Sequence, residues 1–434
     1  MLKRFLREHI SFQLICVYFF FEYVRPQQIM PAIDILPWAQ LAIMFAGLTW
    51  LADNKRHFEK SFVFILIVAL NVVVVLSAMN AAFPGWSWSQ IHHSYNWVVI
   101  YFLTVSIVNT RQRLFFLVLI FLIASFKLSL HGTRTFASRG FAFTEWGLKG
   151  PPGFFENSGE LAMQMLIFVP MMWFLTQAMK PHLGKWMYRF FLFAAATGVI
   201  TIIGSSSRGG QLALAIQLII VFLIGRFSIK SLLAVVFVGM TAFFLLPEKQ
   251  MERFTTAGED KTSQSRLMYW EHGWEMMTNH PALGVGFDGF RFYHAKYYGH
   301  KSESLTKRPE VSHNSFVQVG TGTGFTGLFI FGLLVILGFT TCRKIRQKAE
   351  EREGVACFDA SLARGFSAGL WGFLVAGQFI SAAFYPFLWI QLALIMSLKN
   401  ITDRSVARQK RLAKQQKHEA AHISANYPLS KQGM

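Results

Sequence analysis

The sequence predicts an all-α, polytopic integral membrane protein of about 12 transmembrane helices. Of its 434 residues, 53% are hydrophobic and only 15% are charged, which is more apolar surface than a water-soluble protein of this size could bury. Uncharged runs at 62–76, 212–223 and 232–246 form the cores of membrane spans. Because lipid offers backbone amides no hydrogen-bond partner, each run is expected to be helical.

The span-length rule predicts the helices in order along the chain. Each has about the length needed to cross the hydrocarbon layer, and the first and last are short. The predicted helices are 9–23, 32–52, 61–80, 92–109, 112–131, 157–179, 187–204, 209–225, 230–246, 313–341, 361–383 and 385–399.

Basic residues alternate between successive loops, as the positive-inside rule requires. The opposite short loops carry few, with Arg25 in one and none between 81 and 90. This parity predicts cytoplasmic termini for a multi-pass protein of an inner membrane. It also explains most of the net charge of +19, so no nucleic-acid partner is expected. The basic loop residues are Lys55, Arg56, Lys60, Arg111, Arg113, Lys180, Lys185, Arg189, Arg226, Lys230, Arg343, Lys344, Arg346 and Lys348.

A long polar segment, 247–312, divides the chain into four predicted parts. An N-terminal bundle (1–246) precedes this periplasmic segment, and the C-terminal helices (313–399) and a basic cytoplasmic tail (400–434) follow it. Loops beyond about 12–15 residues are commonly functional.

Part of the segment 247–312 is predicted to be helical, from Ser263 to Asn279. Ser263 is a suitable capping residue. A stripe at helical spacing then suits a helix lying at the level of the lipid headgroups. The stripe consists of Leu267, Trp270, Trp274 and Met277.

Several familiar motifs are excluded. GVGFDG at 284–289 has the glycine spacing of a dinucleotide site, but no strand of a βαβ unit precedes it. The three cysteines lack metal-ligand spacing, and no carboxylate pair at metal spacing accompanies the outer histidines. We therefore expect neither a metal nor a cofactor.

Arg208 lies between two predicted helices, at their outer ends. Ser206 or Ser207 can cap the second helix, whose free amides and positive dipole end then face outward. An arginine beside such a terminus, with two glycines permitting close approach, is typical of a phosphate site. Contact with lipid headgroups is the alternative, but it does not explain the surrounding glycines and serines.

His313 opens the tenth predicted helix, on the same outer surface as Arg208. Histidine exchanges protons near neutral pH, and Asn314 or a nearby carboxylate could orient its ring. A general base is one interpretation, and a capping or packed histidine is the other.

The resemblance to a known family rests on four stretches in a fixed order. Together they cover roughly 150–340, and the pattern resembles the O-antigen ligase superfamily. A further stretch, EYVRPQQ at 22–28, resembles the branch of probable O-glycosylation ligases associated with exosortase systems. The four stretches are SSSRGGQLAL (205–214), SRLMYW (265–270), HPALGVGFDGF (280–290) and SHNSFVQVGTGTGFTGL (312–328).

The resemblance implies a metal-independent, inverting glycosyltransferase of the C-type fold. Such an enzyme takes a glycan from undecaprenyl diphosphate at the periplasmic face and attaches it to a hydroxyl of lipid A-core or of a protein. By matching motifs, Arg208 and Arg266 would hold the diphosphate and His313 would act as the general base. Arg291 is added by proximity rather than by motif. The implied partners are the lipid-linked glycan, its acceptor and membrane lipids.

Two other functions stay open from the sequence. An O-antigen or exopolysaccharide polymerase uses the same donor and joins it to another repeat unit. A lipid-glycan flippase should place ionisable residues midway through its spans, whereas spans such as 62–76 and 212–223 carry very few.

Overall fold

The computed structural model describes residues 2–144, 146–225, 233, 260–302, 310–355 and 357–426. Within these residues, all regular secondary structure is helical, as the sequence predicts. Seven helices of this described part are long and apolar enough to cross a membrane. The predicted helix 230–246 lies almost wholly outside the described residues, so the count of 12 stays a prediction. The seven are Pro31–Leu51, Phe62–Met79, Arg111–Ser138, Ser158–His182, Lys185–Gly204, Arg208–Gly225 and Ser315–Glu353.

The described helices follow the predicted order, and polar residues cap several of them. Ser61 accepts a hydrogen bond from the Phe64 amide, and Thr110 accepts one from the Arg113 amide, both at 3.2 Å. The helices are α1 (Leu2–Phe5), α2 (Ile10–Tyr23), α3 (Pro26–Ile29), α4 (Trp38–Leu51), α5 (Phe62–Met79), α6 (Pro84–Gln90), α7 (His92–Ile107), α8 (Arg111–Ser138), α9 (Ser158–Met179), α10 (Lys185–Gly204), α11 (Arg208–Gly225), α12 (Lys261–Asn279), α13 (Phe290–Ser302), α14 (Ser315–Glu353), α15 (Phe358–Ala376) and α16 (Pro386–Asn426).

Helix α9 lies at the centre of the bundle. It is apolar nearly all round and packs against α10, α11 and α15. The side chain of Gln217, on α11, donates to the carbonyl of Leu166 on α9 at 2.5 Å and to that of Ala368 on α15 at 2.9 Å. These two bonds fix the position of α11, whose first residue is Arg208.

The turn 280–289 between α12 and α13 packs into a break in α14. The break lies at Gly324, where φ is 67° and ψ is −173°. The Phe325 amide donates to the Pro281 carbonyl, and the Val285 amide donates to the Thr321 carbonyl, each at 2.8 Å. The glycine-rich motif therefore joins the polar segment to a membrane helix.

The structure corrects several predicted boundaries. Helix α8 ends at 138 rather than 131, α14 at 353 rather than 341, and α16 at 426 rather than 399. Each helix continues into polar residues, where hydropathy falls although backbone hydrogen bonds persist. Asp260, not Ser263, caps α12, because the Asp260 carboxylate accepts from the Ser263 amide at 3.2 Å.

The predicted stripe of α12 is also not its buried face. Leu267 and Trp274 are exposed, and Met277 alone of the four is fully buried. The face that packs inward carries Ser265, Tyr269, His272, Gly273, Met276 and Met277.

Candidate functional site

One cavity brings together the four site residues that the sequence singles out. Arg208, Arg266, Arg291 and His313 all line it, and its volume is about 1430 Å³. The N-termini of α11, α12 and α13 and the segment before α14 meet around it. Residues more than 100 positions apart in sequence therefore face a common space.

Arg208 is the first residue of α11 and is held in a forked ion pair. Its Nη1 and Nη2 donate to the two carboxylate oxygens of Asp260 at 2.8 and 3.0 Å. Nη2 also donates to the hydroxyl of Ser263 at 3.2 Å. Ser207 is the cap of α11, since its hydroxyl accepts from the Gly210 amide at 3.2 Å. Of the two caps predicted from the sequence, Ser206 and Ser207, the structure therefore uses Ser207.

Asp260 is a site residue that the sequence analysis missed. The hydrogen bonds from Arg208 hold the pKa of its carboxyl well below the usual range, so the carboxylate stays ionised. Aspartate is a preferred N-cap residue, and that preference is the signal that could have identified it. The geometry shows that Arg208 already presents its planar fork to an anion.

Arg266 lies on α12, between Arg208 and the start of α14. Its Nε is buried and has no hydrogen-bond partner among the residues that the structure describes. Burial and the nearby charge of Arg208 lower the pKa of this guanidinium. An anion in the cavity would supply the hydrogen bond that Nε lacks and would add to the negative charge of Asp260 and Glu310 nearby.

Arg291 begins the first turn of α13 and is exposed at the cavity. Beside it, Asp288 has a left-handed backbone with φ of 54°. Its carbonyl accepts a hydrogen bond from Trp86 at 3.0 Å. Burial raises the pKa of the Asp288 carboxyl. Asp288 was also missed, because a carboxylate in a glycine-rich turn resembles ordinary turn chemistry.

His313 pairs with a carboxylate at the edge of the cavity. Its Nε2 lies 3.2 Å from a carboxylate oxygen of Glu310. This hydrogen bond lowers the pKa of Glu310, so the carboxylate is ionised and Nε2 carries the proton. When the ring carries a single proton, on Nε2, the lone pair lies on Nδ1.

The backbone around His313 is held on both sides. His313 has a φ of 49°, a left-handed conformation. Trp270 donates to the Ser312 carbonyl at 3.1 Å. Asn314 caps α14, since its side-chain oxygen accepts from the amides of Phe316 and Val317. Of the two orienting groups predicted, the carboxylate is therefore the one in contact with the ring. Strained backbone held in this way is typical of functional sites.

Comparison with known families adds to this geometry. Residues 191–332 match the model of the O-Antigen ligase family. This match shows an O-antigen ligase domain at 191–332 and supports the resemblance to the O-antigen ligase superfamily. Residues 7–180 match a family of unknown function (DUF5935). No curated protein matches the chain.

The O-antigen ligase region supplies the charged half of the cavity. Arg208, Asp260, Arg266, Arg291 and His313 all lie within it. The O-antigen ligase domain and the apolar helices support a multi-pass membrane protein of the O-antigen ligase or polymerase type.

The other half of the cavity is aromatic and uncharged-polar for the most part. Aromatic rings with amides and hydroxyls suit a hydroxylated ligand, because rings cover its apolar faces while polar groups pair with its hydroxyls. This half includes Trp86, Trp146, Phe154, Asn157, Phe287, Gln318, Ser381 and Tyr385, together with the carboxyl groups of Glu156 and Glu160.

Within the described residues, no group of three or more histidine, cysteine, aspartate or glutamate side chains could hold a metal ion. One pair of such side chains, His272 and His294, has ring nitrogens 2.9 Å apart between α12 and α13.

Proposed function

We propose that this protein transfers a glycan from undecaprenyl diphosphate to an acceptor hydroxyl at the periplasmic face of the inner membrane. The observation that carries the proposal is a single cavity, in an O-antigen ligase region, with three guanidinium groups and a histidine–carboxylate pair. The acceptor is lipid A-core or a protein side chain.

The arginines are assigned to the diphosphate. Arg208 presents two parallel N–H groups, the geometry that binds carboxylate and phosphate alike. The donor's phosphate oxygens would exchange with Asp260 for this fork. Arg266 adds a buried positive charge, and Arg291 adds an exposed one. Such charges stabilise a leaving diphosphate without transferring a proton to it.

His313 is assigned as the general base. The acceptor hydroxyl gives its proton to Nδ1 while its oxygen attacks the anomeric carbon of the donor. The bond between that carbon and the diphosphate oxygen breaks, and undecaprenyl diphosphate leaves. Glu310 stabilises the protonated ring during this step. A single displacement inverts the anomeric configuration, and these protein groups suffice for it without a metal.

The test uses purified full-length protein in nanodiscs, supplied with an undecaprenyl-diphosphate-linked glycan and with membrane extract as the source of acceptor. His313→Ala should abolish transfer and keep donor binding. Arg208→Ala should weaken donor binding and the chemical step together. His280→Ala is the matched control, because His280 is exposed and does not line the cavity. Transfer by His313→Ala at the parent rate would refute the assignment of the base.

Two related assays, one with the lipid-linked donor alone and one with the protein in sealed proteoliposomes, would test the alternatives. Chain growth from the lipid-linked donor alone, with no second acceptor, would identify a polymerase. Transport of the lipid-linked glycan that survives Arg208→Ala combined with His313→Ala would identify a flippase.

A further inference from the structure

A second, smaller cavity adjoins the first. Its volume is about 350 Å³, and the two cavities share a wall made by His93, Phe154 and Phe384. The end of α2, the segment 25–37, the start of α4 and the start of α7 enclose it. A ligand could therefore extend from one cavity into the other past a small number of side chains.

The motif EYVRPQQ at 22–28, which the proposed function does not use, lines this second cavity. Glu22, Arg25, Gln27 and Gln28 all face it. Arg25 adopts a left-handed backbone with φ of 50°, and its guanidinium lies 5.3 Å from the centre of the Phe154 ring. The motif thus fixes the wall between the two cavities.

Glycine at 153 is required by this arrangement. A Cβ atom there would collide with the guanidinium of Arg25, and φ is 98°. The arginine and the glycine together hold the loop that carries Phe154 and leads to Glu156. The N-terminal motif is therefore coupled to the first cavity as well as lining the second.

Two buried polar atoms of the motif lack partners. Among the residues that the structure describes, Arg25 Nε and Gln27 Oε1 make no hydrogen bond. A buried polar atom without a partner costs free energy, and a bound polar ligand or water removes that cost. Gln28 Nε2 donates to the carboxylate of Asp34 at 3.3 Å, so this amide and carboxylate are already aligned at the cavity.

We infer that the second cavity binds a neutral sugar ring of the acceptor, next to the sugar or side chain whose hydroxyl reacts in the first cavity. This inference rests on the proposed function. The rings of Tyr18, Trp38 and Trp97 offer apolar faces, and the amides of Gln40 and Asn96 offer donors and acceptors for hydroxyls. A pocket of this size lies within the range of about 300–1,000 Å³ that is typical of small-molecule sites.

The charges of the second cavity favour a neutral sugar over an acidic one. Arg25 is the one guanidinium in its lining and Asp34 balances its charge, so this cavity has no excess positive charge with which to bind a uronic acid. By contrast, the first cavity concentrates three arginines. The charges of the two cavities would thus favour binding of the donor diphosphate in the first and of the neutral acceptor sugar in the second.

The two family matches divide in the same way. The lining of the second cavity falls within 7–180, except for Phe384. The arginines and His313 of the first cavity fall within 191–332. The region of unknown function would thus select the acceptor, and the O-antigen ligase region would handle the donor.

Direct binding is tested by saturation-transfer difference NMR on the protein in nanodiscs. The probes are methyl α-D-glucopyranoside, which is neutral, and methyl α-D-glucuronide, which is acidic. We expect transfer to the neutral probe only, and a loss of this signal in the double variant Gln28→Ala/Asp34→Ala. The matched control is Gln112→Ala/Asp53→Ala, which removes an exposed amide and a half-buried carboxylate outside both cavities.

Kinetics supply a second readout, with diluted membrane extract as acceptor. Losing one hydrogen bond in Gln40→Ala should raise the apparent KM for acceptor roughly fivefold. The double variant should raise it by at least as much, although its two side chains are in contact and do not act independently. The KM for donor should not change, because the diphosphate site is intact. Gln40→Ala, at an exposed lining residue of the first turn of α4, provides an independent single variant.

The outcomes separate the inference from the proposed function. If Gln28→Ala/Asp34→Ala and Gln40→Ala both transfer glycan with the KM for acceptor of the parent protein, the inference would be overturned. The proposed function would not be affected. If the parent protein binds the neutral probe and the double variant does not, but the parent transfers no glycan, the second cavity would be supported and the proposed function overturned. Equal binding of both probes, or binding that the double variant retains, would refute the neutral-sugar site.

Discussion

The docking of the turn 280–289 into α14 depends on the glycine at 324, and Gly324→Ala tests it. With φ of 67° and ψ of −173°, this residue lies in a backbone region that is essentially restricted to glycine. An added Cβ would also lie 2.5 Å from the Pro281 carbonyl oxygen. The clash is with backbone, which cannot rotate away as a side chain can.

The magnitude follows from these two observations. A residue other than glycine in such a region costs about 1–3 kcal/mol. Taking about 2 kcal/mol as the loss of docking free energy, opening of the turn becomes about 30-fold more frequent, because 1.4 kcal/mol is a factor of about ten. The amide of Val285, which donates to the Thr321 carbonyl, reports this opening directly.

Hydrogen–deuterium exchange with mass spectrometry measures the effect on peptides covering 280–290. Gly332→Ala is the matched control on the same helix, since a Cβ there meets nothing within 4 Å. We expect faster exchange and lower transfer activity in Gly324→Ala, and neither in the control. Unchanged exchange in Gly324→Ala would refute the claim that this turn is held by the break in α14.

Three further predictions concern ionisable groups outside the membrane spans. Glu310→Gln should slow transfer about fivefold without changing donor affinity, because a partly exposed ion pair is worth about 1 kcal/mol. The control Glu271→Gln, on the exposed face of α12, should have no effect. Asp260→Asn keeps a good helix cap but loses the ion pair with Arg208. Because that pair lowers the pKa of Asp260, its stabilisation is present above the ordinary value of 3.8 and is lost as pH falls further; thermal unfolding should show variant and parent converging in acid. Burial and a neighbouring histidine lower the pKa of His294 from 6.5 to about 4, so folded stability should decrease as pH falls through that interval; a parent-like decrease in His294→Gln would contradict this origin.

Seven of the predicted spans correspond to described helices long and apolar enough to cross a membrane, because lipid imposes a simple requirement on such helices. A span must be apolar and helical over a known length, so hydropathy alone locates it. The same criterion ended α8, α14 and α16 too early, because polar residues can continue a helix beyond the lipid.

The candidate site was predictable only in part, for a different reason. Arg208 and His313 could be identified because neighbouring glycines and serines, and a titratable ring, can be recognised from the sequence alone. Their partners, Asp260 and Glu310, have no distinctive sequence context. Their roles can be recognised only from the ion pairs that they form in the folded chain. The second cavity gave no signal beyond the motif at 22–28, since its walls come from four separate segments.

The amide of Gln217 has a consequence for how the bundle can move. It bridges carbonyls of two neighbouring helices in an apolar interior, where no water could replace them. Translation or rotation of α11 would leave the Gln217 amide buried without hydrogen-bond acceptors, which costs about 1–3 kcal/mol. Helix α11, and with it the arginine fork at its first residue, is thus held in place against α9 and α15.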